Sequence, residues 1–316
     1  MQLYRSLEEM SADLGPGAYA AIGAFDGLHR GHQAVVRTML HAARAMRAPS
    51  AVITFRPHPM TVLRPDNPPL ALTTSDQRIR LLRAEGVDAL VELPFTSSLA
   101  AVSAQSFVVD ALCGQGHIRH AFVGADFSFG AGGTGTPDML VQWGKEADLD
   151  VMVVPLLHLN HQPVSSTRIR QALREGRVSM VRRMLGRPYS LEGTVVHGDL
   201  RGRELGFPTA NIIPAEHVAL PLDGVYAVMA RIKTERDRFG RALPGVANLG
   251  MRPTFSGELR RLETHIFEFE DELYGESMEV SFMRRIRSER RFPNAEALRA
   301  QIAHDVRRAR RLLGQY

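Results

Sequence analysis

Ten residues, Gly23-Ala24-Phe25-Asp26-Gly27-Leu28-His29-Arg30-Gly31-His32, place three glycines and two imidazoles between an apolar run and a helical pattern. Glycine lets a backbone approach a phosphate closely, and a helix that follows aims its N–H groups and positive dipole end at the same point. His29 and His32, three apart, bracket the turn. Both rings can face one anion and donate hydrogen bonds to a pentacoordinate phosphorus without attacking it. H-x-x-H is also half of a metal site, but no cysteine or third histidine completes one at ligand spacing. Two loop histidines with no role are the plain alternative. A second patch, Val164-Ser165-Ser166-Thr167-Arg168-Ile169-Arg170, opens another helical pattern with three hydroxyls and two arginines. Ser or Thr at a helix start is ordinary capping chemistry, yet the combination also makes a polyphosphate clamp.

Two further patches lie in the second half. Gly206-Phe207-Pro208-Thr209-Ala210-Asn211 is a turn-rich run offering a hydroxyl and an amide oxygen within three residues. Magnesium takes oxygen ligands and keeps much of its shell from water and phosphate, so Thr209 and Asn211 can hold a metal–nucleotide complex without a carboxylate. The preceding Gly198-Asp199-Leu200-Arg201-Gly202-Arg203 supplies backbone N–H groups and two arginines. A polar surface loop turning at Pro208 is the alternative. In Leu262-Glu263-Thr264-His265-Ile266-Phe267, alternation puts Glu263, His265 and Phe267 on one face. Glu263 among aromatic and apolar neighbours is a candidate general base if it reaches an acceptor hydroxyl, although most strand glutamates merely face solvent.

The elements that must position these residues differ between the halves. Apolar runs at Tyr19–Gly23, Ala51–Phe55, Ala89–Leu93, Ile118–Val123 and Val151–Pro155 alternate with helical segments, which predicts βαβ crossovers and a parallel sheet. The first loop then lies at the carboxyl end of the first of these strands, where open α/β sheets bind ligands. Two short helices, Thr167–Glu175 and Ser179–Leu185, close this half. After Gly186-Arg187-Pro188, short runs at Leu191–His197, Gly224–Ile232, Gly245–Leu249, Leu262–Phe269 and Met278–Ile286 follow with no helix between them, predicting an antiparallel barrel or sandwich. A terminal helix near Asn294–Leu313 carries Leu298, Ile302, Val306, Ala309 and Leu313 on one face, which reads as core docking. The boundary falls near residue 185, giving domains 1–185 and 186–316.

Several function classes are excluded. The chain has 316 residues, net charge +5, 44% hydrophobic residues and one cysteine, Cys113. No apolar stretch approaches the ~18 residues of a membrane span, and the N-terminus lacks the apolar core of a secretory signal. One cysteine forms no internal disulfide and fits a reducing cytoplasm. Only Lys145 and Lys233 among 39 basic residues are lysines. Such an arginine bias can point to a nucleic-acid or polyphosphate partner, but codon choice in a GC-rich genome is the favoured reading. Gly130-Ala131-Gly132-Gly133-Thr134-Gly135 satisfies G-x-G-x-x-G, but no strand runs straight into it and no acid closes the next strand, so a mobile glycine loop is expected instead of a dinucleotide site.

GAFDGLHRGH, VGADFSFG and VSSTRIR together resemble the first module of bacterial bifunctional riboflavin kinase/FAD synthetases, which belongs to the H-x-G-H nucleotidyltransferase superfamily. GRPYSLEGTVVHGDLRGRELGFPTANI, LDGVYAV, GVANLGMRPTF and LETHIFEFEDELYG resemble the flavokinase module. The resemblance covers nearly the whole chain in order. It implies a nucleotidyltransferase-like α/β domain followed by a flavokinase-like antiparallel barrel with a terminal helix. It further implies that riboflavin and ATP give FMN in the second half, and FMN and ATP give FAD and pyrophosphate in the first, both with Mg²⁺. By the same resemblance His29 and His32 serve the α-phosphate of ATP. Gly23, Phe25, Asp26, Gly27, Gly31, Asp126, Ser166, Thr167 and Arg168 surround nucleotide or phosphate. In the kinase half Gly198, Arg203, Thr209 and Asn211 hold Mg·ATP, with Thr209 and Asn211 on the metal. Glu263 takes the proton of the riboflavin 5′-hydroxyl, and Asn248 and Arg252 lie on the flavin side or order the neighbouring loop. Arg56 stands where many relatives carry an acid, and Gly133-Thr134-Gly135-Thr136 replaces a more polar loop ending. The expected partners are small molecules, with no nucleic acid, no membrane, and a monomer or weak homo-oligomer.

Overall fold

The computed structural model describes residues 1–198, 201–233, 239–254 and 257–314, without the side chains of 201, 252–254 and 257–259. It divides into two compact units, Met1–Ser166 and Thr167–Tyr316.

The first unit is built on six parallel strands: β1 (Gln2–Tyr4), β2 (Tyr19–Ile22), β3 (Ser50–Arg56), β4 (Ala89–Pro94), β5 (His120–Gly124) and β6 (Asp150–Val154). Their spatial order is β1-β4-β3-β2-β5-β6. Five match the apolar runs; β1 is an additional edge strand beside β4. The central strands read as near-continuous apolar runs because both faces are covered. Ala20 and Ile22 join the core on one face with Met10, Val91 and Val123. Tyr19 and Ala21 join the other with Val36, Met39 and Phe122. The order reverses between β2 and β5, so this is the topological switch point at which α/β sheets open a crevice. A two-stranded hairpin, β7 (His158–Leu159) with β8 (Gln162–Pro163), follows β6.

The glycine-rich 130–135 segment is a packing device. Phe129 bridges Gly135, and a Cβ at Gly130 would lie 2.5 Å from the Ala104 backbone. Only glycine allows so close an approach, at a φ of +73°.

The second unit is a closed antiparallel barrel of β9 (Tyr189–Val196), β10 (Ala210–Ile212), β11 (Gly224–Ile232), β12 (Leu243–Thr254), β13 (Gly257–Ile266) and β14 (Ser277–Arg287), in the order β10-β13-β12-β11-β14-β9. Barrel closure comes from β10 pairing with both β9 and β13. Leu262, Thr264 and Ile266 are buried, and Glu263 and His265 half-buried on the opposite face, as alternation requires. The helices Ser166–Arg174 and Val178–Leu185 bury Leu173, Val181 and Leu185; Leu222 N–H donates to Leu173 O at 2.9 Å within this unit. The terminal helix Ala295–Leu313, capped by the Asn294 side chain, packs Ala309 and Leu313 against Val225, Ala227, Val246 and Phe267. Its N-terminal apolar residues do not reach that core. Leu298 and Ile302 are half-buried and line a cavity.

Candidate active sites

At the end of β2 the chain enters a tight turn. Phe25 (φ 48°) and Leu28 (φ 37°) are left-handed and almost fully buried, flanking Gly27 at φ 75°. Such strain in residues bearing a Cβ persists only where the surroundings over-determine it. The fixing contacts are visible. Asp26 Oδ1 accepts the Leu72 N–H at 2.8 Å, and Gly27 N–H donates to Thr73 Oγ1 at 3.3 Å. A Cβ on Gly27 would sit 2.8 Å from the Leu72 side chain. The Asp26 carboxylate therefore shapes the loop.

His29 caps the helix Arg30–Met46: its Nδ1 accepts the His32 N–H at 3.3 Å. Accepting at Nδ1 assigns the ring proton to Nε2, which makes Nε2 a donor. Gly31 makes this possible, since a Cβ there would lie 3.1 Å from both Cε1 and Nδ1 of the imidazole. The two rings stack at 3.6 Å between centroids, and Phe25 packs edge-on against His32 at 5.3 Å. Burial, then the neighbouring His29, pushes the His32 pKa well below the ordinary histidine value of 6.5. His32 Nδ1 is buried without a hydrogen-bond partner among the described residues. An unsatisfied buried nitrogen in the first turn of a helix, next to the strained loop, suits an incoming phosphate.

Ser166 is brought to this loop: its Oγ donates to Asp26 O at 3.0 Å. Thr167 and Arg168 follow in the first turn of the same helix and belong to the second unit. Asp126 lies exposed two residues beyond β5, on the other side of the switch point. Arg56 ends β3, two residues after Thr54, whose hydroxyl donates to Ala24 O at 3.0 Å. It lies 3.6 Å from Glu92, whose buried carboxylate also meets Arg5 at 2.9 Å and Arg78 at 2.6 Å. Burial opposes the Glu92 charge, but the Arg78, Ser75 and Arg56 contacts outweigh it and hold its pKa below the usual glutamate range.

In the barrel, three polar residues align across neighbouring strands. Asn211 on β10 pairs with Glu263 on β13, and Glu263 pairs with Asn248 on β12. Directly opposed residues share a face, so the three form one row. They line a cavity of about 490 Å³ with apolar walls from Val225, Val246, Phe207, Phe292, Leu298 and Ile302. Asn248 Nδ2 donates to Glu289 Oε1 at 3.1 Å, while its Oδ1 is buried without a hydrogen-bond partner among the described residues. Arg287 also lines the cavity, held by the buried Asp305 through Nε at 2.8 Å and Nη2 at 2.7 Å.

A second cavity of about 240 Å³ is bounded by Gly198, Arg203, Tyr274, Thr264 and others. Thr209 and Asn211 line both cavities. Gly198 is a cradle, because a Cβ there would fall 2.5 Å from Asn211 Nδ2. Arg203 is exposed, 3.8 Å from Glu272. The Arg252 side chain, like Asp199 and Leu200, lies outside the described residues. No group of three or more His, Cys, Asp or Glu among the described residues could hold a metal. The hydroxyl and amide oxygens between the cavities suit a divalent ion that arrives with nucleotide phosphates and keeps water in its shell.

Glu289, Arg287 and Asp305 escaped sequence reading, since no local pattern connects them to Asn248 or the cavity. Asn211 was read as part of a turn but occupies the three-residue strand that closes the barrel.

Among the described residues no helix is long and apolar enough to cross a membrane. A family model for FAD synthetase matches residues 12–168, and one for riboflavin kinase matches residues 185–313. The bifunctional riboflavin kinase/FMN adenylyltransferase of Escherichia coli (strain K12) is 37% identical over 314 residues, covering 99% of this chain and 98% of that protein. The protein of the same description from Haemophilus influenzae is 36% identical over 310 residues, covering 98% of each. A crystal structure from Streptococcus pneumoniae, described as a macrolide-efflux protein, is 34% identical with a TM-score of 0.83 over 96% of each chain. With two modules matched in order and more than a third of its residues shared over its full length, this chain belongs to the bifunctional riboflavin kinase/FMN adenylyltransferase family.

Proposed function

We propose that this chain phosphorylates riboflavin to FMN in its barrel and adenylylates FMN to FAD in its α/β unit, with domains at 1–185 and 186–316. The observation that carries the kinase assignment is the sharing of Thr209 and Asn211 between two cavities, with Glu263 beside Asn211 in register. The larger cavity falls in the size range of small-molecule sites and combines apolar walls with few polar groups, as a tricyclic flavin requires.

In the kinase step Glu263 accepts the proton of the riboflavin 5′-hydroxyl. That oxygen then bonds to the γ-phosphorus of ATP, and the bond to the β-γ bridging oxygen breaks to leave ADP. Asn248, with its unsatisfied Oδ1, orients the flavin side, and Arg252 belongs to the same side. Gly198 and Arg203 border the nucleotide phosphates. Thr209 and Asn211 would hold a Mg²⁺ ion arriving with ATP, which would supply positive charge against the transferring phosphoryl group.

In the adenylyl step an FMN phosphate oxygen bonds to the α-phosphorus of ATP and pyrophosphate leaves. His29 Nε2–H and the His32 ring face that phosphorus and stabilise its developing charge by positioned donation. Gly23, Phe25, Asp26, Gly27 and Gly31 shape the loop. Ser166, Thr167 and Arg168 hold the departing pyrophosphate or the flavin phosphate, and Asp126 seats nucleotide or flavin.

The test is a chromatographic time course with riboflavin, excess ATP and Mg²⁺. FMN should appear first and give way to FAD. FMN accumulating without FAD would remove the adenylyl assignment, and no flavin product would remove both.

A further inference from the structure

We infer that His265 is a positioning residue of the kinase site, latching the turn that carries Thr209 onto the strand that carries Glu263. The inference rests on the kinase reading above.

The β10–β13 ladder ends at the pair Ala210–Thr264. One step further, Thr209 would oppose His265, and beyond that the chain turns away through Phe207 and Pro208. Proline has no N–H, so the ladder has no backbone donor there, and only the Pro208 carbonyl remains to be held. The His265 side chain takes it: Nδ1 donates to Pro208 O at 2.8 Å. Phe207 packs edge-on against the same imidazole, at 5.5 Å and 88°. The ring thus grips the two residues immediately before Thr209.

The carbonyl can only accept, so Nδ1 carries the proton and Nε2 the lone pair. Burial lowers the His265 pKa below its ordinary value, with the Pro208 bond opposing and Arg310 adding to the effect. The ring is therefore neutral near pH 7, in one tautomer. It puts no extra positive charge on the face it shares with Glu263, two residues away on the same strand. Small displacements of a phosphate-positioning group cost much more than the lost hydrogen bond itself, because in-line transfer depends on orientation.

Asparagine and glutamine separate this role from a direct one. The Asn amide reaches the position of Nδ1, whereas the Gln amide reaches that of Nε2. The full-length protein and its His265→Asn, His265→Gln and His265→Ala variants would be compared in riboflavin phosphorylation and in thermal unfolding midpoint. The latch predicts kcat/KM for Mg·ATP within about threefold of wild type for Asn. It predicts losses of about tenfold or more for Gln and Ala. Should Ala fail to fold, the Asn/Gln pair decides. Gln active with Asn impaired would overturn the latch in favour of a contact through Nε2. All variants within threefold of wild type, or Asn as impaired as Gln, would overturn it as well. A wild-type chain that phosphorylates no riboflavin would instead remove the kinase reading itself.

Discussion

Ser166 Oγ donates to the carbonyl of Asp26 across 3.0 Å, joining residues 140 positions apart in sequence. The bond ties the start of the VSSTRIR helix to the strained loop that ends β2. The tether brings Ser166 from the second patch to the first. Ser166→Ala should lower FMN adenylylation about tenfold, somewhat more than the ~1 kcal/mol of a neutral hydrogen bond because the loop loses an anchor. Riboflavin phosphorylation by the same preparation should be unchanged. Equal loss of both activities would point to general destabilisation.

The imidazole cap depends on a bare backbone at Gly31. A Cβ there would crowd His29 at 3.1 Å, so Gly31→Ala should shift the ring by a few tenths of an ångström. Adenylylation should fall by more than tenfold with the unfolding midpoint little changed. An active Gly31→Ala enzyme would show that the His29 cap geometry is not what the reaction needs.

His32 should couple nucleotide binding to proton uptake. Burial and His29 hold it neutral in the folded protein, whereas an unfolded histidine protonates below about pH 6.5. Between that value and the lower folded one the unfolded state binds more protons. The stability contribution is thus intact above about pH 6.5 and is lost as pH falls through this window. A polyphosphate beside Nδ1 reverses the preference, so ATP binding should draw in a proton. Titration calorimetry near pH 6 in two buffers of different ionisation heat measures this directly. His32→Asn should abolish the buffer dependence; wild type without it would contradict the placement of phosphate at His32.

Asp305 accepts from Arg287 through two nitrogens and from Gln301 Nε2 at 2.7 Å, beside the larger cavity. Removing one partner of a buried pair leaves the other uncompensated. Asp305→Ala should destabilise the barrel unit by about 3 kcal/mol and weaken riboflavin binding. Denaturant unfolding and flavin fluorescence titration check the two effects separately.

Legibility in the sequence followed physical rules. Five parallel strands announced themselves because strands buried on both faces are apolar runs. The edge strand β1 has three residues and no such run. Glu263 and its face were readable from period-two alternation. Its alignment with Asn211 and Asn248 was not, because register joins residues far apart in sequence. The terminal helix shows the limit of periodicity: its pattern identified an apolar stripe but not what lies against it. The C-terminal part docks on the barrel, and Leu298 and Ile302 wall a cavity. The 130–135 glycines match a dinucleotide fingerprint by type, but a close approach to Ala104 is what they serve.

The central claim is two transfers at two separable sites, and a mixing experiment tests it most directly. Glu263→Gln should convert FMN to FAD normally but form FMN from riboflavin at least about a hundredfold more slowly. His32→Ala should form FMN normally and stop there. Supplied with riboflavin, ATP and Mg²⁺, neither variant alone should yield appreciable FAD, whereas an equimolar mixture should, through free FMN. If either variant makes FAD from riboflavin at the wild-type rate, or if Glu263→Gln loses adenylylation of supplied FMN, the assignment of the two sites is contradicted.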